Sequence, residues 1–353
     1  MHLLAIPGLY QNRIRIRDRK EVNEIHYRIK HTVFCSLMFC LSAILLLTGC
    51  SSQAATSAAN TSNTDNSKPY TFVWMTDTQK YTASNPDIFY SMTDWIVDNK
   101  DRENIKMVIH TGDITDDVSD KKQWKVAEKA IFKLDGVVPY SLLSGNHDVS
   151  WNLPASDYTN FLSYFGKDRI DEDQAEIIWY KDGKSRAQLL NVGDTKYIIL
   201  ALGWDAGSGT ISWADKILTQ YQDRIAILTT HDYMNADGSL SDNGNTLYSA
   251  LVKPHTNVHL VLCGHNHNAA RNIAEIDDNG DGTTDRTVYQ LIADYQAEEN
   301  GGNGFMRLLS IDEKNKVINI KTYSPYTKTW NCFDKDADEF TIPIDDWFSG
   351  ISQ

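Results

Sequence analysis

Five times between Tyr70 and His267 an apolar, β-branched run stops at a short polar string. Tyr70–Thr76 (YTFVWMT) ends at Asp77-Thr78-Gln79, and Ile105–His110 leads to Gly112-Asp113-Ile114-Thr115-Asp116. Val138–Leu143 leads to Gly145-Asn146-His147-Asp148, Ile225–Thr230 to His231-Asp232, and Val258–Cys263 to Gly264-His265-Asn266-His267. Runs of this length and composition read as buried strands. Asn85-Pro86 opens a helix as N-cap and first-turn proline, and Ile88, Phe89, Met92, Trp95 and Ile96 follow at helical spacing. Trp124, Ala127, Ile131 and Leu134 mark a second helix. Strands alternating with helices predict right-handed crossovers, with the loops at the strands' carboxyl ends converging on one site. Ala187–Val192 and Lys196–Leu202 read as a hairpin around Gly193-Asp194, and Ser212–Tyr221 as a helix. The last third is strand-rich, at Arg271–Ile276, Arg286–Ala293, Phe305–Ile311 and Val317–Tyr323, and no internal repeat is found. The expected fold is α/β: two facing mixed β-sheets flanked by helices.

The charge is split along the chain. Residues 1–49 carry seven Lys/Arg against three acids, a net of +4, whereas the remainder carries 27 bases and 44 acids, a net of −17. An acidic body repels phosphate backbones, which disfavours a nucleic-acid polymer as partner. The basic stretch runs into Thr32–Thr48 (TVFCSLMFCLSAILLLT), 17 uncharged residues that read as the apolar core of a secretory signal. It closes on Leu47-Thr48-Gly49-Cys50, which resembles the lipobox of bacterial lipoproteins and implies lipidation of Cys50. Ser51–Lys68 (SSQAATSAANTSNTDNSK) has no large apolar side chain to bury and reads as a flexible tether. The expected organisation is a leader with lipobox over 1–49, a tether over 50–69 and a catalytic domain over 70–345. The protein is expected outside the cytoplasm, anchored to the outer face of a bacterial membrane.

Asp, Asn and His at five strand ends are donors suited to Mn, Fe, Zn or Ni. The ordered set Asp77-x-Gln79, Gly112-Asp113-x-x-Asp116, Gly145-Asn146-His147-Asp148, His231 and Gly264-His265-x-His267 resembles the calcineurin-like metallophosphoesterases. The similarity covers about Tyr70 to Tyr323. The tetrad Gly145–Asp148 alone would arise by chance in a chain this long with probability of roughly 0.002. The resemblance implies two divalent transition-metal ions, one held by Asp77, Gln79, Asp113 and His267. The other is implied at Asp113, Asn146, His231 and His265, with Asp113 bridging. It further implies hydrolysis of phosphate mono- or diesters by water shared between the metals. His147 would be the general acid, with Asp148 orienting its ring. The family's usual first motif is Asp-x-His. Gln79 in that place resembles an extracellular lipoprotein type of the family, and either its amide oxygen ligates or water fills the position.

Other features carry weaker signals. Asp277, Asn279, Asp281 and Asp285, with Gly282, match a calcium loop except that Val288 stands where a bidentate Glu is expected. The alternatives are a structural calcium site and a polar hairpin turn. Tyr81, Trp151 and Trp204 follow strand ends and are candidates for a substrate wall. His110, His255 and His259 read as structural, Cys263 as a small buried hydrophobe, and a Cys263–Cys332 pairing is left open. The alternative function is a lipoprotein that binds solutes or phosphorylated ligands without turnover. A small phosphorylated substrate and the membrane are the expected partners, and no protein partner is inferable.

Overall fold

In the computed structural model, which describes residues 68–152, 155–170 and 176–348, alternation along the first strand sets the layering. The leader, Cys50 and nearly all of the tether lie outside the described residues. The strands are β1 (Tyr70–Met75), β2 (Ile105–His110), β3 (Tyr140–Leu142), β4 (Ser150–Asn152), β5 (Ala155–Asp157), β6 (Glu176–Tyr180), β7 (Ser185–Val192) and β8 (Thr195–Leu202). They continue as β9 (Ile225–Thr230), β10 (Val258–Cys263), β11 (Ala269–Ile276), β12 (Arg286–Ala293), β13 (Met306–Asp312), β14 (Val317–Ser324), β15 (Thr329–Trp330) and β16 (Phe340–Pro343). The principal helices are α1 (Gln79–Ser84), α2 (Pro86–Asn99), α3 (Lys121–Ile131), α4 (Thr159–Phe165), α5 (Ser208–Gln220) and α6 (Asp242–Leu247).

On β1, Phe72 and Trp74 enter a core shared with Ile199 of β8, Ile227 of β9 and Leu262 of β10. Their neighbours Val73 and Met75 face the other way, onto Phe89 of α2 and Trp124 of α3. Ala226 and Leu228, and Val261 and Cys263, point outward onto Ala214 and Leu218 of α5. The period-2 pattern thus buries both faces of both sheets, as continuous apolar runs require. One sheet has the order β15-β14-β13-β1-β2-β3, with β16 on β14; the other has the order β11-β12-β10-β9-β8-β7-β6. β1, β2 and β3 run parallel in the first sheet, and β8, β9, β10 and β12 in the second. The two facing mixed sheets flanked by helices agree with the expected α/β class.

The departures are local. β3 begins only at Tyr140 because Pro139 has no N–H to donate. β6, β15 and β16 are edge strands, too short and too exposed to give a clear alternation. The helix α6 has the poor helix-forming sequence DNGNTL and is capped by Ser241, whose hydroxyl accepts from Gly244 N at 3.0 Å. Asp277–Asp285 is the loop of the β11–β12 hairpin. Its carboxylates are turned onto its own amides: Asp277 accepts from Gly280 N (2.6 Å) and Gly282 N (2.7 Å), and Asp285 from Asp278 N (2.8 Å). Position 12, Val288, is buried within β12. Among the described residues these carboxylates are not part of a gathered group of three ligand atoms, and they serve the turn of the hairpin. Cys263 is buried and Cys332 half-buried, and both are free thiols. Among the described residues no helix is long and apolar enough to cross a membrane.

Candidate metal centre

The parallel strands deliver their polar ends to one edge. Asp77 follows β1 with φ 49°, Asp113 follows β2 with φ 52°, and His265 follows β10 with φ 76°. Left-handed backbone costs an L residue about 1–2 kcal/mol, so three such residues on one cluster mark a site whose geometry overrides local preference. Space is equally constrained. A Cβ on Gly145 would stand 2.0 Å from Asp113 Oδ1, and one on Gly264 would stand 2.1 Å from Asp77 Oδ2. Only glycine permits these carboxylates to lie against the neighbouring loops.

Among the described residues, Asp113, His231 and His265 bring their ligand atoms within 4.8 Å of one another. His231 donates from Nδ1 to the Thr111 carbonyl at 2.9 Å, which leaves Nε2 facing Asp113 Oδ2 at 3.2 Å and Asp77 Oδ1 at 3.9 Å. Among the described residues its Nε2 has no hydrogen-bond partner, and neither does the buried Oδ1 of Asn146. Asp77 accepts from the His265 backbone N–H at 3.2 Å and from Thr76 Oγ1. Buried, unpaired acceptors beside carboxylates suit a divalent cation and are costly without one.

Electrostatics point the same way. Burial and then the nearby Asp294 push the Asp77 carboxyl well above its ordinary range. Burial would lower the His231 ring, but Asp113 and Asp77 together outweigh it and raise the ring to about 10. The two carboxylates therefore favour positive charge at this ring. A ring nitrogen that binds a divalent ion must be free of its proton, so metal uptake is expected to release protons. The release is read from titrations in buffers of different ionisation enthalpy. Proton release of zero would contradict this.

The expected first position is less tightly gathered. Gln79 turns its amide nitrogen to Asp113 Oδ2 at 3.2 Å and to Gln296 Oε1, while its buried Oε1 has no partner. Gln79 thus donates to the Asp113 carboxylate through its amide nitrogen. His267 is largely exposed, with Nε2 2.7 Å from Gln296 Nε2 and 3.9 Å from Asp294 Oδ2. A Gln79–Gln296–His267 chain of contacts therefore occupies the first position.

Two roles assigned from sequence are corrected. Asp148 does not orient His147: its oxygens accept from Ile114 N (3.0 Å), Thr115 N (2.8 Å), Thr115 Oγ1 (3.0 Å) and Gly145 N (2.9 Å). The His147 ring instead places Nδ1 2.8 Å from the Asp116 carbonyl, which fixes its tautomer. Tyr81 is no substrate wall. It is 2% exposed in the core under α2, and its hydroxyl accepts from Gly304 N at 3.0 Å. Trp151 and Trp204, by contrast, line one cavity beside the cluster.

Asp294 and Gln296 were not singled out from sequence. Asp294 is fully buried at the carboxyl end of β12, beside β10, and accepts from Gln296 N at 2.9 Å. The strand-end rule that picked out the other motifs applies equally to Ala293-Asp294. Of the remaining histidines, His110 bonds Thr78 Oγ1 at 3.0 Å and accepts from Gly112 N at 3.2 Å. It braces two site loops. His255 meets Asp215 at 3.0 Å, and His259 stacks on Trp347.

The calcineurin-like phosphoesterase family model matches residues 70–269. The chain is 43% identical over 281 residues to the uncharacterized protein YvnB of Bacillus subtilis (strain 168), covering 78% of this chain but only 22% of that protein. Purple acid phosphatase PPD1 from yellow lupin (Lupinus luteus) seeds is similar in fold, with a TM-score of 0.53 at 15% identity. That similarity covers 78% of this chain and 54% of the lupin chain. With the family model spanning more than half of its residues, the chain belongs to the calcineurin-like phosphoesterase family.

Proposed function

We propose that this protein is a metal-dependent hydrolase of phosphate mono- or diesters. The observation that carries the reading is the pair of buried, unpaired acceptors, Asn146 Oδ1 and His231 Nε2, beside the Asp113–His231–His265 group. Asp113, Asn146, His231 and His265 would hold one divalent ion. Asp77, Asp113 and His267 would hold a second, with Gln79 either rotating its oxygen inward or bracing Asp113. Divalent cations in such a site neutralise a phosphoryl group and acidify water for in-line attack. The chain's own part is positioning and proton transfer. Asp113 Oδ1 accepts from the His147 backbone N–H at 2.9 Å, tying the loop that carries the proton donor to the bridging carboxylate. With Nδ1–H held on the Asp116 carbonyl, Nε2 of His147 is the atom that would pass a proton to the leaving oxygen when the ring carries a proton on both nitrogens.

The test is a panel of phosphate mono- and diesters with Mn, Fe, Zn or Ni added to metal-stripped protein. Metal-restored hydrolysis is expected, and no turnover of any ester with any of these ions would refute it. His147→Ala is expected to keep its metal and to slow most on esters with poor leaving groups.

The lipobox-like tetrad supports a second part of the proposal, secretion and lipid anchoring through Cys50 to the outer face of a bacterial membrane. Cys50→Ser is expected to move the protein from the membrane fraction to the soluble or unprocessed fraction. An unchanged distribution, with no acyl mass on wild-type Cys50, would contradict it.

A further inference from the structure

Beside the metal centre lies a cavity of about 180 Å³ lined by Trp151, Gly203, Trp204, Asp205, Thr230, Asp232 and Asn243. Three strand ends build it. Trp204 and Asp205 follow β8, Thr230 and Asp232 flank His231 after β9, and Trp151 stands in β4 just beyond the His147 loop. The Trp204 ring packs against His265 (5.3 Å between centroids) and His231 (5.8 Å), so the cavity opens next to the ligands themselves. At about six waters' worth of volume it takes one small substituent, well short of the roughly 300–1,000 Å³ of drug-sized sites.

The lining has a definite chemical character. It holds two carboxylates and two indoles, and among the described residues no basic side chain lines it. Among the described residues Asp232 Oδ1 is buried with no hydrogen-bond partner, and Asp205 receives Ser156 Oγ at 3.3 Å. Asn243 does not neutralise Asp232, since its amide donates to the Asp232 backbone carbonyl at 2.7 Å. Trp151 is 70% exposed, an unusual place for an indole. Two acids repel an anionic substituent, and a purely apolar one would leave Asp232 Oδ1 unpaired. A compact cation satisfies both, because indole faces and carboxylates each attract an alkylammonium head.

We propose that this cavity is a subsite for an alkylammonium group, and that the substrate class is phosphoesters carrying a short amino alcohol of the choline kind. The substrate assignment rests on the phosphoesterase reading; the binding of the cation does not. One alcohol chain then spans from the phosphorus at the metal centre to a charge held between Trp151, Trp204, Asp205 and Asp232. The buried Trp204 indole N–H, also without a partner, remains as a donor for an oxygen of the same substrate.

The test compares 4-nitrophenyl phosphorylcholine with its uncharged carbon isostere, 3,3-dimethylbutyl 4-nitrophenyl phosphate, on metal-loaded protein. Phosphocholine and 3,3-dimethylbutyl phosphate serve as the monoester pair. Members of each pair share their shape and differ in one charge, and the diester pair also shares its leaving group, 4-nitrophenolate. The choline ester is expected to have a kcat/KM about tenfold or more above the isostere. Asp232→Asn and Trp204→Leu are expected to bring that ratio towards one. Equal rates for both members, or a ratio unmoved by either substitution, would overturn the subsite while leaving the phosphoesterase reading intact. If no ester is turned over, that reading falls, and titration of choline against indole fluorescence decides the subsite alone. Saturable quenching lost in Asp232→Asn supports it, and no saturable change refutes it.

Discussion

Asp113→Asn is expected to lower kcat/KM by about 10³-fold or more and to remove most bound metal. No other side chain in the cluster has so many duties. One oxygen receives the His147 amide at 2.9 Å; the other faces His231 Nε2 and Gln79 Nε2, each at 3.2 Å. An amide in its place must turn an NH2 group towards one of these sets, and it no longer offers a negative charge that two ions could share. The measurement is metal content alongside rates and the rise in melting temperature on adding metal. A binding partner that stabilises only the folded state raises that temperature. The variant should show almost no rise. Wild-type turnover with full metal content would remove the two-metal assignment.

The second large effect is on the fold. Asp148→Ala should cost about 3–5 kcal/mol, because it orphans three buried N–H groups and the Thr115 hydroxyl at once. In a domain of this size that is a fall in melting temperature of about 10 °C. The pH dependence has a definite sign. Burial, and then Asp113, raise the Asp148 carboxyl from 3.8 to about 6, so between about pH 4 and pH 6 the folded state holds a proton that the unfolded state has lost. Its contribution to stability therefore declines as pH rises through that window. The deficit of Asp148→Ala should be larger at pH 4 than at pH 7. Melting curves at the two pH values check this, and a deficit that grows with pH would show that Asp148 is held ionised.

Strand ends were legible in the sequence because burial on both faces of a sheet leaves long apolar runs that stop abruptly at polar residues. β2, β9, β10 and β12 begin and end where those runs do. Edge strands such as β6 and β16 were not legible, since half-exposed strands have no such contrast. Within the site, residue identity gave the ligand candidates, but it could not give hydrogen-bond direction. Asp148 is next to His147 in the chain, yet its side chain points back to the Ile114 and Thr115 amides, because a 3₁₀ turn over Asn146–Asp148 separates the two directions. Tyr81 follows a strand end as Trp204 does, but α1 carries it inward onto the α2 core. Asp294 shows the converse case. It was hidden because no neighbouring motif accompanied it, although its strand was recognised.

The centre itself is tested most directly by a crystal structure of the protein grown with manganese, with anomalous scattering used to locate the ions. The expected result is two ions about 3.5–4 Å apart with Asp113 between them, Asn146, His231 and His265 on one, and Asp77 on the other. Fully occupied crystals with no ion at Asp113, or with ions bound only elsewhere, would contradict the account.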